Sequence, residues 1–336
     1  MSFIRPYLDK IKVFKFQKFH AFLSDLAQLT NRSPLLYILD ILYCTLGKGF
    51  SFSEYKLYHF YDLPLKIKKT YHSTLDNVRT IERVNNPKLL YLLRDKGLFL
   101  KRFEAYLGRE FIDLRNASPQ EFRAFLDRHT KFIAKPFNLA FGKGIEVYEG
   151  PVADAQVASM YEEFFQKKMY IVEEFIEQHQ ELSRVYPNCV NSIRIYTLNT
   201  DGIIKLVLTP SIRFGANGGK IDFKGNIQLL INQETGCVET SGYDVINGVF
   251  IEEHPNTCYV FKTLKIPFFH QAMALVKQAA GAIPEIRYIG WDVAITPHGP
   301  VLIEGNGAPG YSHLQVFAAA LSSDRTGCKA LLAQIR

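Results

Sequence analysis

The chain of 336 residues predicts an α+β fold with an antiparallel sheet, preceded by a mainly helical region. Three observations predict it. The first hundred residues carry helix caps and apolar spacings of three and four. From residue 188 onward the pattern turns to β, with apolar runs at 190–199, 203–214, 227–232 and 237–240. Helices and strands follow one another without the regular alternation of a βαβ series, which favours antiparallel pairing.

Taken in order, Ser33 is suited to cap a helix with Pro34 at its first position and Gly47 at its stop. Its apolar positions are Leu35, Leu36, Ile38, Leu39, Leu42 and Leu46. Ser51 and Glu54 frame a capping box ahead of the aromatic run 55–61. Aromatic density of this kind predicts packing within a helical region. Ser118 and Glu121 frame a second capping box, opening a helix with Phe122, Phe125 and Leu126 on one face. A short strand over 131–135 leads into the loop Phe141-Gly142-Lys143-Gly144-Ile145. A helix over 152–168 and a strand over 169–176 come next, and a helix over 267–283 follows the β-rich stretch. The last elements are two apolar strands, 290–296 and 300–306, joined by a Pro/Gly turn from Thr296 to Gly299.

Composition narrows the class. Hydrophobic residues make up 47% and charged residues 22%, ample for a buried core shared among two or three lobes. No apolar run approaches the roughly 18 residues a membrane-spanning helix needs, and the charges scattered through 1–20 do not form a secretory signal. Five dispersed cysteines without a CxxC predict free thiols in a reducing cytosol rather than disulfides or structural zinc. Of the net charge of +7, nearly all lies in residues 1–70, where eleven Lys/Arg face five acids. That stretch reads either as a solvated face or as a contact for a polyanion or a membrane surface. No nucleic-acid motif, GxSxG, Cys–His pairing or Walker-type loop accompanies it.

The chemistry-bearing residues gather late. In a hairpin of register 290–306, Asp292 lies mid-strand, and Glu304 and Asn306, two apart, point to one face. Hard oxygen donors of this kind, completed by phosphates and water, suit Mg²⁺; the same residue types also end strands as turn formers. Lys135 closes an apolar strand just before Gly142 and Gly144, where a compact charge and close-approaching backbone N–H groups could meet phosphate, or the glycines could form a simple turn. The strand bearing Glu173, Glu174, Phe175 and Ile176 ends in acids, with Glu181 beyond. It is either a solvent-facing acidic edge or an adenine-binding edge with a carboxylate for ribose hydroxyls. Arg194 and Arg213 each sit between apolar neighbours in a strand, as forks for carboxylate or phosphoryl oxygens or as ion-pair partners. The glycine-rich stretch 215–220 reads as a mobile cover or a loose turn.

In this order, Asp95-Lys96, 133–136, Gly142/Gly144, 173–176 with Glu181, Arg194, Arg213 and Asp292…Glu304-Gly305-Asn306 resemble the ATP-grasp superfamily. Within it, Ile289-Gly290-Trp291-Asp292-Val293-Ala294 and Gly299-Pro300-Val301-Leu302-Ile303-Glu304-Gly305-Asn306 are similar to the sugar-transfer-associated ATP-grasp family. The likeness runs from about residue 95 to 320, and the first ninety-odd residues fall outside it. It implies two α+β lobes, 95–180 and 181–336, clasping ATP, behind a helical N-terminal lobe over 1–94. It also implies that Lys96 and Lys135 hold the ATP phosphates with Gly142, Lys143 and Gly144 closing over them. Glu174, Phe175 and Ile176 would line the adenine site, with Glu181 at the ribose and Glu173 counted among the cofactor-binding residues. Asp292, Glu304 and Asn306 would coordinate Mg²⁺, and Arg213 with Arg194 would neutralise an acyl phosphate. The glycine loop here is leaner than in the richest members of that superfamily, and the helical region replaces the usual preceding α/β domain.

The expectation is therefore a cytoplasmic Mg²⁺- and ATP-dependent carboxylate–amine ligase acting in cell-surface polysaccharide assembly. Its partners would be a small or glycan-linked carboxylate and an amine, with peripheral membrane or glycan-assembly contact through the basic N-terminal region. Two rivals stand beside it: a kinase on the same scaffold that phosphorylates a hydroxyl, and a non-catalytic nucleotide-binding scaffold of a glycan assembly complex.

Overall fold

The computed structural model describes residues 16–30, 33–137, 144–216, 218 and 227–335. The chain forms two compact units, Met1–Pro87 with Ala308–Arg336, and Lys88–Gly307. The stretch from Ala308 onward, expected with the second lobe, thus groups with the N-terminal region.

The first unit is helical. Ser33 accepts a hydrogen bond from the Leu35 N–H (3.4 Å) and starts the helix Pro34–Leu42, which runs on as a widened turn over Tyr43–Gly47. Ser51 and Glu54 form the expected capping box. The aromatic run after it is not one helix: Phe52–Leu57 stops, His59 takes φ 51°, and a short 3₁₀ turn follows over Phe60–Asp62. That break lets Phe60 meet Phe50 (4.9 Å) and Tyr71 (5.0 Å) edge to face in the core. The buried Glu54 carboxylate is fully engaged: Tyr311 Oη (2.5 Å) donates to one oxygen, Ser51 N–H (2.7 Å) and Thr74 Oγ1 (2.6 Å) to the other. The leucine-rich helix turns its aromatic and branched residues inward. It buries Tyr37, Ile41 and Cys44 and leaves Leu35, Leu36, Leu39, Leu42 and Leu46 on the surface.

The second unit holds two sheets, and every strand pair in both is antiparallel. The smaller comprises β1 (Phe111–Asp113), β2 (Lys131–Lys135), β3 (Glu146–Glu149) and β4 (Ile171–Glu174), in the order β1-β4-β2-β3. One face buries Phe132, Ala134 and Val172 against Phe122, Phe125 and Phe164 from the helices Pro119–Arg128 and Asp154–Gln166. The capping box at Ser118 forms as expected.

The larger sheet contains β5 (Ser192–Thr200), β6 (Ile203–Leu206), β7 (Ser211–Phe214), β8 (Ile227–Leu230), β9 (Gly242–Asp244), β10 (Val249–Ile251), β11 (Tyr288–Thr296) and β12 (Gly299–Asn306). Its order is β10-β9-β8-β7-β5-β11-β12, with β6 beside β5. The run expected as one strand over 203–214 splits in two where Leu208 takes φ 62°, ahead of Pro210. Residues 237–240 make only isolated bridges, Val238 to Ile231 and Cys237 to Lys265.

Strands β5 and β11 are buried on both faces from end to end but for their last residues. Trp291 lies on the face opposite the chemistry described below. Its Nε1–H donates to Thr197 Oγ1 (2.8 Å), and its ring meets Phe103 edge to face (5.3 Å). Gly305 is paired with Trp291 across the hairpin, and a Cβ there would lie 3.1 Å from the Trp291 ring, 3.2 Å from Phe99 and 3.3 Å from Leu93. The residue between Glu304 and Asn306 is therefore glycine for want of space. Gly305→Ala is expected to cost about 1–3 kcal/mol by overpacking, read as a lower urea midpoint at unchanged slope.

Candidate functional site

One row of the larger sheet carries the charged chemistry. In register across neighbouring strands lie Ser211 on β7, Arg194 on β5, Asp292 on β11 and Glu304 on β12. Directly opposed residues share a face, so four side chains fall in line. Arg213, two residues beyond Ser211, joins that face, as does Asn306, two beyond Glu304. The hairpin register shifts between Asp292 and Val293, the kind of irregularity that re-aims side chains beside a site.

Within this row Arg194 forks both oxygens of Asp292, Nε to Oδ1 at 2.5 Å and Nη2 to Oδ2 at 2.8 Å. Arg213 Nη2 reaches Oδ1 at 3.4 Å. Arg194 and Asp292 are both buried. Burial pushes the Asp292 carboxyl upward, yet Arg194 and then Arg213 hold it down at about 2. Glu304 behaves oppositely: burial and the facing Asp292 push it above the usual carboxylate range, against the pull of the Asn306 amide. Its side chain is open to solvent at its surface yet closely surrounded by protein on its other sides. The upward direction rests most securely on the facing carboxylate, because like charges oppose each other whatever the solvent access. Asn306 Nδ2 donates to Glu304 Oε1 at 3.0 Å.

The smaller sheet supplies a second cluster. Glu173 on β4 is fully buried and pairs with Lys135 Nζ on one side. On the other it accepts from Arg109 Nε at 2.7 Å. Burial pushes Glu173 up, but the two cations hold it below its ordinary value. Arg109 also donates through Nη1 to the carbonyls of Leu302 (2.6 Å) and Leu107 (3.1 Å). Lys96 opens the helix Lys96–Arg102, whose start is capped by Asp95 accepting from Gly97 N–H (2.9 Å) and Leu98 N–H (3.1 Å). Arg115 in turn grips Asp95 with two contacts at 2.9 Å. Lys96 Nζ donates to the Pro136 carbonyl at 2.6 Å. Its ammonium is lowered to about 8 by burial first and by Lys135 second, with Glu304 and Glu173 opposing the shift. Lys96, Lys135, Glu173 and Glu304 therefore share one electrostatic neighbourhood.

The remaining expected residues are distributed as follows. Glu174 ends β4 and accepts from the Glu110 N–H (3.0 Å); Phe175 lies 4.5 Å beneath the Lys131 ammonium; Ile176 follows, half-buried. Glu181, in the first turn of the helix Gln180–Val185, turns to Arg184 at 3.3 Å and away from the lysine cluster. Gly142 and Lys143 lie outside the described residues, as do 217, 219 and 220 of the 215–220 stretch; Gly144 is exposed with φ 74°, a backbone that favours glycine. Two findings depart from the sequence reading. Glu173, expected among the cofactor-binding residues, is committed to Lys135 and Arg109. Arg194, expected at the transferring group, is committed to Asp292. Arg109 was not singled out by sequence, because a lone arginine after Gly108 carries no local sign of where its side chain goes.

For Mg²⁺ the donor chemistry fits. Two carboxylates and an amide are on one sheet face, and this cation is held by one or two protein carboxylates with phosphates and water completing the shell. The raised Glu304 is a carboxylate whose ionised form lacks an adequate local cation. Asp292 already accepts three hydrogen bonds from arginines, so Glu304 and Asn306 are the less committed donors. Among the described residues no group of three His, Cys, Asp or Glu side chains is placed to hold a metal by itself, and none of the described helices is long and apolar enough to cross a membrane.

Charge balance around Glu173 makes an expected outcome plain. Glu173→Gln leaves Lys135 and Arg109 as buried like charges and is expected to destabilise the protein by about 3–5 kcal/mol. Glu174→Gln, one residue on and partly exposed, is expected to cost less than about 1 kcal/mol. Urea denaturation of the two variants checks the contrast.

Comparison with known proteins follows from this geometry. Among solved structures, the chain is similar to the ATP-grasp ligase PsnB complexed with minimal precursor, at 12% identity and a TM-score of 0.43, covering 78% of this chain and 68% of that one. It is similar to the D-alanine-D-alanine ligase from Coxiella burnetii, at 14% identity and a TM-score of 0.41, covering 73% and 56%. It is also similar to an N5-carboxyaminoimidazole synthetase from Staphylococcus aureus complexed with ADP, at 12% identity and a TM-score of 0.44, covering 72% and 52%. The chain thus spans little more than half the length of the latter two. No curated protein matches the sequence. The profile of the sugar-transfer associated ATP-grasp family matches residues 75–326, well over half of the chain. On that match, the chain belongs to the sugar-transfer associated ATP-grasp family.

Proposed function

We propose that the chain is a Mg²⁺- and ATP-dependent carboxylate–amine ligase that works through an acyl phosphate on a substrate of cell-surface polysaccharide assembly. The observation that supports this most is the shared neighbourhood of two lysines, Lys96 and Lys135, with the Asp292, Glu304 and Asn306 donor set. Cations for phosphate beside acids for a divalent metal are the two requirements of a metal–nucleotide site. The polysaccharide role rests on the family's name alone.

In this reading the lobes 95–180 and 181–307 of the second unit clasp the nucleotide. Lys96 and Lys135 hold its phosphates beneath residues 142–144, residues 174–176 line the base, and Glu181 serves the ribose. Asp292, Glu304 and Asn306 hold Mg²⁺, which when bound supplies positive charge to the phosphoryl oxygens. A substrate carboxylate oxygen bonds to the γ-phosphorus as the bond to ADP breaks. The amine nitrogen then bonds to the carbonyl carbon, phosphate leaves with the C–O bond's electrons, and the amine loses a proton. Activation is needed because a carboxylate is a poor electrophile, and phosphate gives it a leaving group. Arg213 is the arginine that meets the developing charge. Arg194, with both Asp292 oxygens in its fork, orients that carboxylate from behind.

Incubation with ATP, Mg²⁺, candidate amino acids or uronic acids and hydroxylamine is the direct test: a trapped hydroxamate is the expected product. A stable phosphoester would instead make the protein a kinase, and no ADP release with any acceptor would favour the scaffold. Glu304→Gln is expected to lose the Mg²⁺-ATP thermal shift. It is also expected to raise the melting temperature of the ligand-free protein by roughly 1–3 °C, since it removes a carboxylate opposed by Asp292. A wild-type response to Mg²⁺-ATP in that variant sinks the metal assignment.

The titrations give a pH signature. The Lys96 ammonium is charged below about 8 in the free protein, and phosphates favour the charged form. ATP affinity is therefore expected to be flat below pH 8 and to fall above it, with proton uptake on binding. Glu304 must ionise to hold a metal and its carboxyl is raised. Mg²⁺ affinity is thus expected to drop as pH falls through that raised value, sooner than an ordinary carboxylate would allow, with proton release on binding. Isothermal titration in buffers of differing ionisation heat reads both signs.

A further inference from the structure

The helical unit carries a surface that the ligase reading does not use. Leu35, Leu36, Leu39, Leu42 and Leu46 are 62%, 59%, 57%, 45% and 73% exposed. Positions 35, 39, 42 and 46 are spaced by four, three and four, so they fall along one side of the helix Pro34–Leu42 and its continuation Tyr43–Gly47. Tyr37, Ile41 and Cys44 already anchor the opposite side in the core. Asp40 apart, the helix is thus apolar on both sides, and among the described residues the outer side is left exposed. Single exposed leucines need no explanation, but a contiguous line of them does.

Basic residues rim this line. Lys48 is exposed and folds back over the Tyr43 ring, its ammonium 5.5 Å from the centroid. Lys68 Nζ grips Asp40 at 2.5 Å and so holds the segment Leu65–Lys68 against the flank of the same helix. There Leu65 is exposed, as are Lys66 and Lys69. Residues 1–70 as a whole carry six more positive than negative charges. A second copy docking on this face would bring two such surpluses together, which like-charge repulsion opposes. An anionic surface that accepts apolar side chains matches both features at once.

We propose that the helical unit docks on an anionic lipid bilayer by inserting Leu35, Leu36, Leu39, Leu42 and Leu46 at the headgroup boundary, with Lys48, Lys66 and Lys69 on the lipid phosphates. The helix lies in the plane of the interface, as amphipathic anchors do. The lysine stems extend along the apolar surface and their charges meet the headgroups. This inference is independent of the ligase reading, because it uses no residue of the nucleotide site.

Co-sedimentation of the full chain with vesicles of phosphatidylcholine alone, and of phosphatidylcholine mixed with phosphatidylglycerol, tests it. Binding to the mixed vesicles alone, weakening as salt is added, is expected. Leu39→Ser combined with Leu46→Ser is expected to weaken binding about tenfold or more. Lys48→Glu with Lys66→Glu and Lys69→Glu is expected to abolish it. All five positions are on the surface, and unchanged circular dichroism melts confirm that the variants fold. Leu36→Ser alone replaces the leucine pair should that pair melt early. The proposal is overturned if the wild type stays in solution with mixed vesicles, or if leucine variants bind like wild type. It is overturned equally if light scattering finds a wild-type dimer that the leucine pair converts to monomer, which would give this face to a second copy.

Discussion

The arrangement of the candidate site depends on the antiparallel register of three adjacent strands, β5, β11 and β12. Because side chains on paired strands stand directly opposite one another, this register alone puts Arg194, Asp292 and Glu304 in a line. A slip of one residue would send all three to the face now filled by Trp291. The indole wedged over Gly305, with Phe103 at its edge and Thr197 taking its N–H, makes such a slip costly. Packing on one side of the sheet thereby protects chemistry on the other.

Charge on that face is graded along the row. At its buried end a guanidinium fork quenches Asp292, while at its outer end Glu304 faces a carboxylate that the Asn306 amide and the more distant Arg194 offset only in part. Low dielectric magnifies both situations. The buried pair is a rigid, neutral base; the outer acid is held in a setting that favours the arrival of positive charge. The smaller sheet repeats the scheme with signs exchanged, Glu173 pairing with both Lys135 and Arg109 while Lys96 sits nearby with a weakened hold on its proton.

Much of this was legible before the structure. The hairpin was legible because two long apolar strands flank a short turn, but the one-residue shift that puts Asp292 opposite Glu304 left no mark in the sequence. The capping boxes at Ser51 and Ser118 formed because their chemistry is local. Strands β1, β9 and β10 escaped notice because three residues are too few to show alternation. In β3 Val147 points outward while its neighbours Glu146 and Tyr148 are the half-buried ones, so the apolar pattern misleads. The Arg194–Asp292 fork went unread because it joins residues 98 apart, and neither strand alone says which partner it takes. The leucines of the second described helix show in the sequence as an apolar set, yet it is Tyr37, Ile41 and Cys44 that fill the core. Periodicity detects an apolar face but cannot tell which of two apolar faces turns inward.

Arg109 offers one edge of its guanidinium to Glu173 and another to the Leu302 carbonyl. The former stands beside Lys135, and the latter precedes Glu304 by two residues. A flat group of invariant dimensions thus bridges the two sheets like a spacer, and the gap between ammonium and carboxylate is gauged by bond lengths instead of by the loops around it. Lysine in its place would keep the charge but touch only one shore at a time. Insertions and drift in the surrounding connections can accordingly accumulate without detuning the span across which the two charged groups act.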